Sequence, residues 1–359
     1  MSVITIGNRC IGPDHTPLII AEMSGNHDQS LDKALAMVDA AAAAGADAIK
    51  LQTYTADTMT LDVHHGEFYI DDPNNLWHGY SLHRLYQKAM TPWDWTAAIF
   101  ERAQARGLLA FSTPFDISAL EFLEQLDAPC YKVASFENTD HALLAAVAKT
   151  GKPVIVSTGM ASLSELTESV EVLRHHGCRE LMLLKCTSHY PARPLDANLN
   201  TIPHLADLFQ CQVGLSDHTT GVGVAVASVA LGATVIEKHF VLDRSERGVD
   251  AEFSLEPHEF RQLVDECRRA KDALGQITYS PTQSELAARR HRRSLYIAKD
   301  IKAGEAFTEQ NLRSVRPGLG LAPKHLPLFI GKTAACDLTK GTALSWAHLA
   351  GQAASANGD

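Results

Sequence analysis

The chain has 359 residues, 45% of them hydrophobic, so it can bury a large core and exceeds the usual size of one domain. Its net charge is −10, but residues 281–359 carry 11 Lys/Arg against 6 Asp/Glu, which leaves −15 on residues 1–280. This distribution argues against a nucleic-acid-binding protein, and no segment has the leader-like or long apolar composition of a secreted or membrane chain. We therefore expect a cytoplasmic protein.

Short apolar segments alternate with amphipathic segments of helical length. Eight apolar segments predict strands, at residues 18–22, 46–52, 108–113, 131–135, 153–158, 180–187, 211–216 and 233–240. Two of the helices between them have clear signals, with Ser30 and Gly45 bounding one and a Ser162–Glu165 capping box starting another. Because the strands are apolar on both faces and each precedes a helix, they predict a parallel sheet, and eight such units predict a closed (β/α)8 TIM barrel.

The remaining segments predict the domain organisation. The segment from Tyr54 to Met90 is too long for an ordinary βα loop, so we expect a functional excursion over the barrel mouth. Residues 1–16 resemble a hairpin that plugs one end of the barrel. The expected boundaries are a barrel domain at 1–280, a linker at 281–293, a small β-rich domain at 294–351 and a disordered tail at 352–359.

Polar residues collect where the predicted strands end. In a parallel barrel these ends share one face, and substrates bind there. The residues at this face are Glu22, Lys50, Gln52, Thr113, Lys132, Ser135, Glu137, Ser157, Lys185, Ser188, Tyr190, Ser216, Asp217, His218, Lys238 and His239. Several lysines in one mouth would repel one another without an anion among them, so the set predicts a ligand with phosphate and carboxylate groups.

His218 and His239 end neighbouring predicted strands on the same face. One interpretation is that each is a core histidine with satisfied hydrogen bonds. Because the two occupy equivalent positions, we favour a shared divalent cation with open coordination positions for water or substrate. Two imidazoles do not identify the metal.

Ordered motifs along residues 3–345 resemble the sialic acid synthase (NeuB-like) family, whose members condense phosphoenolpyruvate with a sugar to make nine-carbon acids. They include IIAEMSGNH, FSTPFD, YKVASFE, KPVIVSTGMA, LLKCTSHYP, GLSDHT and VIEKHF. Within the family the chain most resembles the pseudaminic acid synthases, a distinction carried mainly by KLQTYTADTMTLD and EFSLEP.

The resemblance implies an antifreeze-like (SAF) C-terminal domain and a domain-swapped homodimer in which that domain covers the partner's barrel mouth. It implies a divalent metal on His218 and His239, most simply Mn²⁺, with Mg²⁺ or Co²⁺ as alternatives, and catalytic roles for Glu22, Glu137 and His239. The implied phosphoenolpyruvate contacts are Lys50, Thr113, Lys132, Ser135, Ser157, Ser188 and Ser216. The implied sugar contacts are Gln52, Tyr190, Asp250 and, from the partner's small domain, Arg316. Ser188 stands where the sialic acid branch has an asparagine.

The implied reaction joins phosphoenolpyruvate, 2,4-diacetamido-2,4,6-trideoxy-L-altrose and water, and releases pseudaminic acid and phosphate by C–O cleavage. Either Glu22 or Glu137 would move the proton or deliver the water, and Trp77, Tyr80 and Leu82 are candidates for an apolar wall against the acceptor's 6-methyl group. The alternatives are an N-acetylneuraminic or legionaminic acid synthase, another metal-dependent phosphoenolpyruvate condenser or aldolase, and a non-catalytic sugar-binding scaffold.

Overall fold

A computed structural model describes residues 2–246 and 248–351 of the chain. Within this part, the chain forms two compact units that divide after Gly275. The predicted tail at 352–359 lies outside the described residues. None of the described helices combines the length and the apolar composition that a membrane span requires.

The first unit begins with a hairpin of β1 (Ile4–Ile6) and β2 (Arg9–Ile11). The two strands pair antiparallel, with Ile4 opposite Ile11, and Gly7 supplies the left-handed conformation of the turn, at φ +56°. The buried isoleucines of the hairpin pack against Leu18 and other apolar residues of the barrel lumen. The hairpin therefore packs on the apolar end of the barrel interior.

Eight parallel strands form a closed barrel, which confirms the predicted (β/α)8 fold class. Each pairs with its neighbour in chain order, and the last closes on the first. They are β3 (Leu18–Glu22), β4 (Ala48–Thr53), β5 (Leu109–Pro114), β6 (Tyr131–Val133), β7 (Val154–Ser157), β8 (Leu181–Cys186), β9 (Gln212–Asp217) and β10 (Val235–His239).

Helices surround the barrel, and two of them are capped as the sequence predicts. The Ser30 side chain accepts a hydrogen bond from the Lys33 amide, and Ser162 and Glu165 form the predicted reciprocal capping box. The helices are α1 (Leu31–Ala43), α2 (Ala56–Met59), α3 (Leu82–Ala89), α4 (Thr96–Ala105), α5 (Ile117–Gln125), α6 (His141–Lys149), α7 (Leu163–His175), α8 (Thr201–Phe209), α9 (Gly223–Ala230) and α10 (Pro257–Leu274).

Side chains on each barrel strand alternate between the lumen and the helices. In β10, Val235 joins the apolar cluster of the lumen, whereas Ile236 joins the cluster between barrel and helices. The same period places Glu237 and His239 on the lumen side and Lys238 on the outer side. The lumen is thus apolar near the hairpin and polar at the opposite, C-terminal ends of the strands.

The second unit is small. It contains α11 (Gln283–Ala288), β11 (Ser294–Ile297), β12 (Leu312–Val315) and α12 (Leu326–Phe329). β11 and β12 pair antiparallel, and single bridges extend the pairing, for example between Tyr296 and Ala343. Leu295, Phe307 and Phe329 lie in its own apolar core.

One glycine tests how tightly the barrel is packed. A Cβ on Gly214 in β9 would lie 2.2 Å from the Val235 carbonyl oxygen and 2.7 Å from Leu184 Cδ2. Gly214→Ala should therefore destabilise the protein by about 3 kcal/mol or more, because the backbone of β10 must shift. Gly223→Ala is the matched control, since nothing lies within 4 Å of the added carbon; it should change stability by less than about 1 kcal/mol. Urea unfolding followed by circular dichroism measures both, and equal midpoints for the two variants would contradict the packing argument.

Candidate active site

Two buried lysines and two buried glutamates face one another in the lumen. Lys50 Nζ lies 2.5 Å from Glu22 Oε2 and donates a hydrogen bond to Thr113 Oγ1 at 3.1 Å. Glu237 Oε1 lies 3.8 Å from Lys50 Nζ and 4.0 Å from Lys132 Nζ. We call Glu22, Lys50, Lys132 and Glu237 the charged layer. Each of the two lysines has a carboxylate oxygen within 4.0 Å of its Nζ, so the protein itself supplies counter-charges to these predicted lysines.

Two of the lysines expected at the mouth do not face it. Lys238 lies on the outer side of β10, where its Nζ donates to Asp217 Oδ2 at 2.7 Å and is fully buried. Lys185 follows the outward-facing Leu183 by two residues, and its Nζ donates to the backbone carbonyl of Cys186 at 2.8 Å. Strand alternation explains both corrections, because residues of opposite parity cannot share the lumen.

Glu237 is a site residue that the sequence reasoning missed. Burial would raise its pKa, but Lys132 and Lys50 lower it, so the carboxylate is ionised. It also accepts a hydrogen bond from Ser216 Oγ at 3.2 Å. The alternation of strand side chains could have identified it, because Glu237 is two residues before His239 and therefore lies on the same face of the strand as His239.

His218 and His239 lie together, as expected, at the ends of β9 and β10. Their ring centroids are 5.3 Å apart, and both side chains are buried. His218 Nδ1 is 3.1 Å from the Thr187 carbonyl, so it carries the proton and leaves Nε2 as an acceptor. Burial lowers the pKa of His239 well below its ordinary value, so this ring is neutral.

The two imidazoles fit a shared ion. Two rings bound at about 2.1 Å to one metal have centres on the order of 5 Å apart, as these do. His239 Nδ1 is buried without a hydrogen-bond partner in the described part of the chain, and Asp250 Oδ2 lies 3.9 Å away. Among the described residues, however, no three His, Cys, Asp or Glu side chains are grouped to hold a metal by themselves. Water or substrate would have to complete the coordination.

Cys186 is a second lumen-facing residue that the sequence reasoning missed. Its Sγ lies 4.0 Å from His218 Nδ1 and 3.9 Å from Ser188 Oγ. Burial would raise its pKa, but the His218 imidazole lowers the pKa of the thiol to about 7. Strand parity also identifies this residue, because Cys186 is two residues after the lumen-facing Leu184.

A cavity of about 550 Å³ lies against the charged layer. Gln52 lines the cavity and donates to Glu22 Oε1 at 3.0 Å, so the two are in contact. Among the predicted site residues, those that line the cavity are Gln52, Ser135, Glu137, Ser188, Tyr190, His239 and Asp250. Predicted residues that lie deeper, buried in the lumen, are Glu22, Lys50, Thr113, Lys132, Ser157, Ser216 and His218.

Several of the predicted hydroxyl groups lie near the ends of the strands. Ser135 and Ser188 share a hydrogen bond at 2.8 Å across the ends of β6 and β8. Ser157 Oγ is buried and has no hydrogen-bond partner within the described residues. Asp250 accepts from Ser24 Oγ. Arg316, the remaining predicted residue, lies after β12 in the second unit, where it is exposed.

The excursion after β4 supplies the apolar wall of the cavity. Its backbone folds back on itself, with Ile70 N bonded to the Tyr80 carbonyl and Gly79 N to the Ile70 carbonyl. Trp77 lines the cavity and donates from Nε1 to the Val249 carbonyl at 3.0 Å. Leu82 also lines it, as expected. Tyr80 does not line the cavity. The centre of its ring lies 5.5 Å from the Lys88 ammonium group.

The sequence matches the NeuB family over residues 37–279 and the SAF domain over residues 292–350. The chain belongs to the NeuB family.

Individual members of the family are similar over nearly the whole chain. A pseudaminic acid synthase of Campylobacter jejuni subsp. jejuni serotype O:23/36 (strain 81-176) is 46% identical over 94% of this chain and 98% of its own length. A pseudaminic acid synthase of Helicobacter pylori (strain ATCC 700392 / 26695) is 42% identical over 92% of this chain and 96% of its own. The crystal structure of an N-acetylneuraminic acid synthetase from Leptospira borgpetersenii, in complex with citrate, superposes with a TM-score of 0.71 at 35% identity, covering 80% of this chain and 95% of that one.

Glu137 is the site carboxyl group with the clearest titration near neutral pH. Its Oε2 is buried without a hydrogen-bond partner in the described ranges, and burial, opposed by Lys132, raises its pKa from an ordinary 4.5 to about 7. Its stabilising contribution is therefore complete below pH 4.5 and lost as the pH rises through 7, a change on the order of 3 kcal/mol.

Glu137→Gln should remove this pH dependence. The variant should gain stability relative to the wild type between about pH 5 and pH 8, as measured by urea unfolding at each pH. Glu171→Gln, the same chemical change at an exposed position of α7, should leave the wild-type dependence intact. Parallel stability curves for Glu137→Gln and the wild type would show that this carboxyl group titrates normally.

Proposed function

We propose that this NeuB-family enzyme condenses phosphoenolpyruvate with 2,4-diacetamido-2,4,6-trideoxy-L-altrose and water to give pseudaminic acid and phosphate. The observation that carries the proposal is the contact between the charged layer and a cavity that also contains His239 and Glu137. Anion-binding groups and carbonyl-activating groups are thereby within reach of one pair of small substrates. The identity to the two pseudaminic acid synthases supports the choice of acceptor.

Lys50 and Lys132 would bind the phosphate and carboxylate of phosphoenolpyruvate. Both are buried, with their Nζ atoms 3.8 Å and 4.0 Å from Glu237 Oε1, and Thr113 accepts a hydrogen bond from Lys50. Ser157 offers a buried hydroxyl group that has no partner among the described residues. Ammonium groups fixed in a water-poor site offset negative charge that develops during the reaction. Binding both substrates in reacting geometry contributes a further part of the rate enhancement, within an upper limit of roughly 7 to 11 kcal/mol.

His218 and His239 would hold the divalent metal, for which we propose Mn²⁺, with Mg²⁺ or Co²⁺ as the alternatives. When bound, the ion supplies Lewis-acid polarisation of a carbonyl group. The neutral state of His239 and the free Nε2 of His218 suit them as nitrogen ligands. Asp250, whose Oδ2 lies 3.9 Å from His239 Nδ1, would orient a sugar hydroxyl or amide group.

We assign the proton transfer to Glu137 rather than Glu22. Glu22 is bound to Lys50 at 2.5 Å and accepts from Gln52, so it serves as a counter-ion. Glu137 lines the cavity, and a pKa near 7 suits a group that accepts and returns a proton. The C3 carbon of phosphoenolpyruvate bonds to C1 of the sugar while the C1 oxygen takes a proton from Glu137. Water then adds at C2 and returns a proton to Glu137. The C2–O bond to phosphate breaks as the new C2 hydroxyl becomes the keto group and gives its proton to the departing phosphate.

The apolar wall favours an acceptor with a methyl group at C6. Trp77 and Leu82 from the excursion, with Phe253 after β10, form an apolar surface on the cavity. A hydroxymethyl group against such a surface would lose hydrogen bonds to water without replacing them. This supports the trideoxy acceptor over N-acetylmannosamine.

We further propose a cytoplasmic homodimer in which Arg316 from the partner subunit reaches the sugar. The exposed position of Arg316 and the net charges of −15 on residues 1–280 and +5 on residues 281–359 support this proposal. Opposite net charges attract and steer two surfaces together.

An isotope and acceptor experiment tests the reaction. With phosphoenolpyruvate labelled with oxygen-18 in the C–O–P bridge, the label should leave in phosphate, because the C–O bond breaks. Mass spectrometry of products from an acceptor panel should show the pseudaminic acid product in preference to N-acetylneuraminic or legionaminic acid. Label retained in the sugar acid would indicate P–O cleavage, and absence of phosphate release with every acceptor would indicate a binding protein.

Metal removal tests the pair of histidines. EDTA should abolish turnover and manganese should restore it, because the aldehyde then loses and regains its Lewis acid. His218→Ala and His239→Ala should each weaken manganese binding at least about tenfold, measured by equilibrium dialysis on folded protein. Wild-type affinity in both variants, or full activity after metal removal, would contradict this site.

A further inference from the structure

Lys132 is one of the most deeply buried charged groups of the barrel. Its side chain is 2% exposed, and its Nζ donates one hydrogen bond, to the Val133 carbonyl at 3.0 Å. A buried ammonium group with no opposite charge nearby is costly, and the usual response is loss of its proton. The charge of Lys132 therefore depends on its neighbours.

Only one carboxylate among the described residues forms an ion pair with Lys132. Glu237 Oε1 lies 4.0 Å from its Nζ, whereas Glu22 is bound to Lys50. Titratable groups that face Lys132 across the lumen are Glu22 on β3, Lys50 on β4, Glu137 after β6, Cys186 on β8 and Glu237 with His239 on β10. Lys50 and burial act against the ammonium form, so Glu237 is the main group that supports it.

Glu237 also retains capacity for a further contact. Its Oε1 accepts from Ser216 Oγ, but its Oε2 is buried and lacks a partner within the described residues. The carboxylate thus sits between two lysines, close to both and hydrogen-bonded to neither. This is the geometry of a shared counter-ion rather than of a closed salt bridge.

We propose that Glu237 is a positioning residue that keeps Lys132 in the ammonium form before substrate arrives, so that the anion meets a site already charged. The inference depends on the proposed binding of phosphoenolpyruvate by Lys132. Once the anion is bound, its own charges support the ammonium group, and Glu237 is no longer required for it. The role of Glu237 therefore appears in the substrate-free protein.

Removing the carboxylate has a defined consequence. Burial already lowers the pKa of Lys132 despite Glu237, and the neutral amide of Glu237→Gln would lower it further. At a pH above this lowered pKa, phosphoenolpyruvate binding to the variant brings a proton to Lys132. Above the lowered pKa, the affinity should fall about tenfold for each unit of pH.

Isothermal titration calorimetry of the full-length protein with phosphoenolpyruvate, at fixed excess manganese and without acceptor, measures this proton. Titrations in buffers of different ionisation enthalpy at pH 7.5 give the number of protons taken up. Glu237→Gln should take up as much as one proton more than the wild type and bind at least about tenfold more weakly. Glu237→Asp keeps a carboxylate but places it farther from Lys132, so its proton uptake and affinity should lie between those of the wild type and Glu237→Gln. If Glu237→Gln does not fold, Glu237→Asp is the variant that tests the proposal. Glu171→Gln, exposed on α7, is the control and should match the wild type.

The outcomes separate this inference from the proposed function. If the wild type binds phosphoenolpyruvate, and the Glu237 variants bind it with unchanged affinity and proton uptake, then Glu237 does not set the charge of Lys132. If the wild type itself binds no phosphoenolpyruvate, the proposed function is wrong and this inference is wrong with it.

Discussion

The site depends on keeping two ammonium groups and two carboxylates inside one barrel. Charges buried this deeply are tolerated only when each faces an opposite charge, because water no longer stabilises them. The alternation of strand side chains provides that arrangement, since it brings Glu22 and Lys50 into register on adjacent strands and aims Glu237 at Lys132 from another. The barrel therefore holds both ammonium groups against carboxylates, and in the proposed reaction an anionic substrate would exchange one set of counter-charges for another.

Much of the fold followed from the sequence because the signals were local. Eight doubly apolar segments, each followed by a helical segment, leave a closed parallel barrel as the simplest arrangement, and the Ser162–Glu165 cap formed as predicted. The candidate site was predicted less completely. The prediction selected residues that are close to a strand end. It therefore included Lys185 and Lys238 and omitted Cys186 and Glu237. On β3 and β10, every second residue counted from Leu18 or Val235 faces the lumen, and the residues between them face the helices. This alternation distinguishes lumen residues from outer residues.

The apolar wall shows where sequence reasoning reaches its limit. Trp77 and Tyr80 are three residues apart in the same excursion, and both are aromatic residues with a polar tip. Trp77 lines the cavity and Tyr80 does not, because the backbone folds back between Ile70 and Tyr80 and because the Trp77 indole donates to the Val249 carbonyl of a distant segment. Neither contact follows from a local pattern, since each depends on how remote parts of the barrel are arranged.

The hydrogen bond from Trp77 to Val249 joins two loops that no strand connects directly. The groups proposed for bond formation lie on rigid strand ends. The apolar surface proposed to distinguish one sugar from another is instead held by this hydrogen bond between two loops. In the proposed reaction, the groups that make the bond and the surface that selects the acceptor therefore belong to different parts of the fold. Substitutions in these loops would then change the acceptor while leaving the strand-borne groups in place.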